Sequence, residues 1–134
     1  MKKYLFDTNI CIYYIQGKFS LKEKFRKIKK GNRFISEITL AELKFGVKNN
    51  QSKKKNQETL DNFLTGIQIL PIINSLDIYA EEKARLRKQG RPIDDFDLLI
   101  GASAIANDMI LVTNNESHFQ RITNIRIENW AKNL

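Results

Sequence analysis

Short apolar segments rich in β-branched and aromatic residues alternate along this chain with longer segments of helical spacing, and no other feature narrows the fold so far. Residues 3–6, 33–36, 68–73, 109–112 and 125–127 read as strands. Between them, 10–15, 21–30 (closed by Gly31), 38–47, 53–64 and 76–89 (stopped by Gly90) read as helices. Strands that alternate with helices pair in parallel and are covered on both faces, so the expectation is an α/β fold. With no repeat, linker or low-complexity tract, residues 1–134 read as one domain.

The last long helix sharpens this reading. Asp94 opens it, and Leu98-Leu99-Ile100-Gly101-Ala102-Ser103-Ala104-Ile105-Ala106 carries no charge. A helix so apolar on all sides is largely buried. Leu98, Leu99, Ile100, Ala102, Ile105 and Ala106 are therefore the expected core, with Gly101 allowing close packing.

Charge and rare residues limit the function classes. No apolar run reaches the ~20 residues that cross a bilayer, and an aspartate at position 7 does not suit a signal peptide. One cysteine, Cys11, excludes an internal disulfide, and with the single histidine, His118, it cannot build a tetrahedral zinc site. A reducing cytoplasm fits best. The net charge of +8 favours a polyanionic partner, nucleic acid before others. The lysines and arginines crowd two stretches, 18–33 and 44–55. Either these are solvated helix faces, or they hold a phosphate backbone.

Against this basic background a few acids stand out. Asp7 lies between the first strand and the first helix, at a strand's carboxyl end, where α/β sheets hold ligands. Capping the helix would also account for it. Glu42 shares a helix face with Ile38, Phe45 and Gly46. A charge inside an apolar stripe is unfavourable unless it is paired, binds a metal or reaches solvent at an edge. Asp94, Asp95 and Asp97 are more acids than one helix cap needs, and they repel one another unless a cation or solvent intervenes. Thr113-Asn114-Asn115 forms another polar cluster after a strand. Carboxylates from several strand ends and helices suit a hard divalent ion such as Mg²⁺ or Mn²⁺, which serves phosphodiester chemistry.

These segments, taken in order, resemble the motifs of the PIN-domain nucleases. Leu5-Phe6-Asp7-Thr8-Asn9 is similar to the first motif, and Ser36-Glu37-Ile38-Thr39-Leu40-Ala41-Glu42-Leu43 to the second. Asp97-Leu98-Leu99-Ile100-Gly101-Ala102 is similar to the third, and Leu111-Val112-Thr113-Asn114-Asn115 with His118-Phe119 to the fourth. Arg126-Ile127-Glu128-Asn129-Trp130 resembles the closing segment of VapC toxins. The resemblance implies a PIN-like three-layer α/β/α domain with a central parallel sheet of four or five strands. It implies an endoribonuclease that uses Mg²⁺ or Mn²⁺ and metal-activated water. It also implies the toxin of a type II toxin–antitoxin pair, a VapB-like antitoxin and a homodimer. By position, Asp7, Glu42 and Asp97 are the implied metal ligands. Asn115 stands where the family often has an aspartate, which leaves it a role toward water or substrate.

Two other readings compete. Haloacid dehalogenase-type phosphotransferases also place an aspartate after the first strand, but need a second where this chain has Asn9. A basic RNA-binding or interaction module without catalysis accounts for the charge, but gives no reason to set carboxylates near phosphate.

Overall fold

Tyr4, Leu5 and Phe6 are all buried because the strand they form runs through the middle of a sheet. The computed structural model describes residues 1–132. Its five strands are β1 (Tyr4–Phe6), β2 (Arg33–Ser36), β3 (Gln68–Leu70), β4 (Ile110–Val112) and β5 (Ile127–Glu128). They pair in parallel throughout, in the order β3-β2-β1-β4-β5. This is the PIN-like α/β architecture expected, with five strands.

Side chains alternate between the two faces with the strand's period of two. Tyr4, Phe6, Ile110 and Val112 point into one core, with residues of α1 (Thr8–Ile15), α2 (Leu21–Arg26), α3 (Glu37–Lys48) and α4 (Lys53–Leu64). Leu5 and Leu111 point into the other, with residues of α5 (Leu76–Lys88), α6 (Asp95–Ala106) and the short α7 (Glu116–Phe119). Three layers follow directly.

The departures from expectation have local causes. The first basic helix ends at Arg26 rather than near residue 30, and a 3₁₀ turn at Lys30–Asn32 leads into β2. The residues after Phe25 offer only Ile28 to the core, so little apolar surface extends the helix. The strand expected to reach residue 73 stops at Leu70. Pro71 has no N–H to give the ladder, and a 3₁₀ turn follows at Ile73–Ser75. In α6, Leu98, Ile100 and Ala102 are buried as expected, whereas Leu99, Ile105 and Ala106 are partly exposed. Gly101, Ser103 and Ala104 take their place in the interior. Gly101 lies so close to Ile122 that an added Cβ would collide with that side chain.

One clamp ties α5 to the loop before β5. Glu82, only 8 % exposed, accepts the Arg85 Nε–H at 2.8 Å and Nη2–H at 3.0 Å, together with the Thr123 backbone N–H. Arg85, first among these, holds the Glu82 carboxyl down at about 2. A depressed carboxylate contributes stability above its unfolded pKa and loses it as pH falls toward the folded one. Glu82→Gln is therefore expected to lower stability by about 2 kcal/mol at pH 7, as for a hydrogen-bonded charge. The difference should shrink between about pH 4.5 and 2. Denaturant unfolding of the two proteins across that range checks it.

Candidate active site

The strand order reverses at β1, and the crevice between the carboxyl ends of β1 and β4 is where such a sheet opens to a ligand. β1 runs into Asp7, whose extended backbone makes it the N-cap of α1. Its Oδ1 accepts the Thr8 N–H at 2.8 Å, and its Oδ2 accepts the hydroxyl of Thr113, just past β4, at 2.8 Å. Capping thus occupies one oxygen and leaves the other facing inward. Asp7 is 5 % exposed. Burial pushes its carboxyl up to about 6; the Thr113 and Thr8 hydrogen bonds oppose this, and the Asp97 and Glu42 carboxylates add to it.

Those two neighbours come from separate elements. Glu42 lies midway along α3, a helix capped by Ser36, whose Oγ accepts the Ile38 N–H at 3.0 Å. The Thr8 hydroxyl donates to Glu42 Oε1 at 2.7 Å. It also lies 3.0 Å from Thr39 Oγ1. With one proton on each hydroxyl, Thr39 to Thr8 to Glu42 is the order that ends on the charge. The apolar stripe expected around Glu42 is not the buried face. Phe45 is 66 % exposed, and α3 turns Thr39, Leu43 and Val47 inward. Glu42 sits at the border of that face and is held by Thr8.

The three aspartates of α6 divide their tasks. Asp94 is the N-cap, its Oδ2 accepting the Phe96 N–H at 3.2 Å. Asp95 Oδ1 accepts from Lys83 Nζ at 2.9 Å and from the Tyr79 hydroxyl at 2.8 Å. Neither needs Asp97, which is partly buried with Oδ2 3.3 Å from His118 Nδ1. Burial raises the Asp97 carboxyl, the His118 ring lowers it, and Asp94 raises it further. Asn115 stands one step away, its Nδ2 3.2 Å from His118 Nδ1. Its backbone N–H donates to Thr113 Oγ1 at 3.0 Å, the same hydroxyl that holds Asp7.

Sequence reasoning named the acids and Asn115, offered Thr8 only as an alternative to Asp7 for the helix cap, and gave no separate role to Thr113 or His118; all three orient the acids. Their nearness in the quoted motifs was the available signal. The short helix that carries His118 has four residues, too few for a periodic pattern.

The chemistry of the set suits a cation. The chain carries 23 lysines and arginines, yet among the described residues none pairs with Asp7, Glu42 or Asp97. Hard carboxylate oxygens without a lysine or arginine partner fit a divalent ion. Among the described residues, no three His, Cys, Asp or Glu side chains close into a group able to hold an ion alone. A cation held by these residues would keep part of its water shell, the habit of Mg²⁺.

The chain as a whole is similar to known proteins. The PIN domain family model matches residues 4–125. Ribonuclease VapC2 of Rickettsia felis is 40 % identical over 96 % of this chain and 98 % of its own length. The tRNA(fMet)-specific endonuclease VapC of Shigella flexneri is 35 % identical over 98 % of this chain and all of its own. A chain in the crystal structure of VapBC2 from Rickettsia felis, bound to a DNA fragment from their promoter, superposes with a TM-score of 0.88 at 39 % identity. That match covers 95 % of this chain and 98 % of the other. The chain belongs to the PIN domain family and, within it, to the VapC group.

Proposed function

We propose that this protein is a divalent-metal-dependent endoribonuclease, the toxin of a type II toxin–antitoxin pair. What supports the reading is that Asp7, at the reversal point of the sheet, is joined through Thr8 to Glu42 and through Thr113, Asn115 and His118 to Asp97, carboxylates of two separate helices. An RNA-cleaving activity agrees with the names of the related VapC proteins. Mg²⁺ or Mn²⁺ bound here would supply an activated water and neutralise charge on the phosphodiester.

The chain's own residues prepare the site. Asp7, Glu42 and Asp97 are the proposed ligands, one or two directly and the rest through water. Thr113 and the Thr8 N–H fix the Asp7 carboxylate, the Thr8 hydroxyl fixes Glu42, and His118 fixes Asp97. Asn115, adjoining His118, is placed to orient a water or the substrate. The basic side chains of α2 and of α4's first turn, Lys53, Lys54 and Lys55, draw the RNA backbone.

A VapB-like antitoxin is part of the proposal, in line with the VapBC2 complex of Rickettsia felis. A groove of about 280 Å³, lined by Ile12, Ile15, Leu43, Val47 and Leu60, opens beside Glu42. It suits the apolar face of an antitoxin segment that covers the site. A homodimer belongs to the same proposal, with exposed Ile73, Leu76 and Phe96 as its candidate surface. No helix among the described residues is long and apolar enough to cross a membrane.

Incubating the antitoxin-free chain with RNA tests the reading. Internal cuts are expected with Mg²⁺ or Mn²⁺ and none with EDTA. RNA that is bound but left whole in both conditions would favour the module without catalysis.

A further inference from the structure

Apart from the acidic crevice, a second concavity lies on the side of the sheet that α2 covers. It measures about 400 Å³ and is lined by Lys24, Lys27 and Ile28 from α2 and its end, and by Asn129, Trp130 and Lys132 after β5. That volume lies within the range of small-ligand sites. Trp130 is firmly anchored there. Its indole N–H donates to Glu128 Oε1 at 2.9 Å, and its carbonyl accepts from Lys24 Nζ at 2.8 Å. The rings of Tyr4, Phe6 and Phe25 meet it at 52°, 63° and 78°. None of the three lies flat on the indole.

Two acids also border the site, and both are engaged. Glu128 takes the indole N–H. Glu116 Oε2 accepts from Asn129 Nδ2 at 3.0 Å and lies 3.9 Å from Lys132 Nζ. Glu116 opens α7, the helix that sets His118 against Asp97. Thr113, which holds Asp7, donates its N–H to Glu128 O at 3.0 Å. The hollow is thus connected to the acidic crevice through Glu116 and Glu128.

We infer that this hollow is a binding subsite for one nucleotide of single-stranded RNA flanking the scissile bond. A base stacks on Trp130 over Ile28, and the phosphates lie against Lys27 and Lys132. The inference rests on the ribonuclease reading. An apolar floor with a fixed aromatic ring suits a base, which stacks whatever its identity, and a lysine rim suits the backbone.

Trp130 is the only tryptophan in the chain, so its fluorescence reports the site directly. The intact protein in EDTA is titrated with a short single-stranded RNA, with binding followed in parallel by anisotropy of an end-labelled copy. Saturable quenching that parallels anisotropy is expected. Lys27→Glu should weaken binding about tenfold, and Lys88→Glu, the same charge change at the end of α5, much less. Inorganic polyphosphate and an acidic peptide should bind the lysines without quenching. Three results would overturn the subsite: anisotropy without quenching, equal effects of the two charge reversals, or equal quenching by the peptide or polyphosphate. RNA that is cleaved but does not quench would sink only the subsite. RNA neither bound nor cleaved would sink the ribonuclease reading with it.

Discussion

Asp97→Asn is expected to lower RNA cleavage at least ~100-fold and leave the fold standing, a larger loss than the ~10–100-fold of a residue that merely orients a ligand. The substitution keeps the side chain's shape and removes the charge that holds a cation. Helix α6 is unaffected, because Asp94 and not Asp97 is its cap. Burial and Asp94 both oppose the Asp97 charge, so without metal the variant should be as stable as the parent or more so. Cleavage under excess Mg²⁺ and thermal unfolding with and without the ion give the two readouts. An active variant would remove Asp97 from the account. An inactive, well-folded one that Mg²⁺ no longer stabilises would support it, since a ligand stabilises only the state that binds it.

Asp7 should make the metal-free protein less stable as pH rises. Its carboxyl is raised to about 6 in the fold, chiefly by burial. Between its unfolded pKa and that value the native state binds more protons than the unfolded chain, so stability falls with increasing pH. A shift of about two pKa units corresponds to ~3 kcal/mol. In EDTA the parent should therefore lose about that much relative to Asp7→Asn as the pH rises from well below about 4 to well above about 6. Asparagine keeps the cap and does not titrate. Adding Mg²⁺ at pH 7 should restore the parent and not the variant. Urea unfolding of both proteins at several pH values measures the difference. A flat difference would mean that the charge on Asp7 is already compensated inside the fold.

The order of elements was legible because each strand and helix carries its own period. β2 and α4 have the bounds expected, and Asp7, Ser36 and Asp94 sit at the helix starts their side chains favour. What escaped was set by contacts distant in sequence. Whether α3 turns Phe45 or Thr39 inward depends on what packs against it, and spacing alone cannot choose between adjacent faces. Asp7 and Asp97 could be named because charges at element ends in a basic chain are conspicuous, and Glu42 because it interrupts a run of apolar residues at helical spacing. Thr8, Thr113 and His118 could not be ranked, since a hydroxyl or ring beside a carboxylate 34 or 106 residues away leaves no mark in local sequence. The same holds for Trp130, which meets Lys24 only in the folded chain.

The central claim is that Asp7, Glu42 and Asp97 together hold one divalent-cation site on which RNA cleavage depends. A calorimetric titration of Mn²⁺ into the antitoxin-free parent, and into Asp7→Asn, Glu42→Gln and Asp97→Asn, tests it most directly, with RNA cleavage assayed on the same samples. Saturable binding to the parent is expected, with loss of that binding in each variant and loss of cleavage in step. Undiminished Mn²⁺ binding in all three variants, or cleavage by the parent that persists in EDTA, would contradict it.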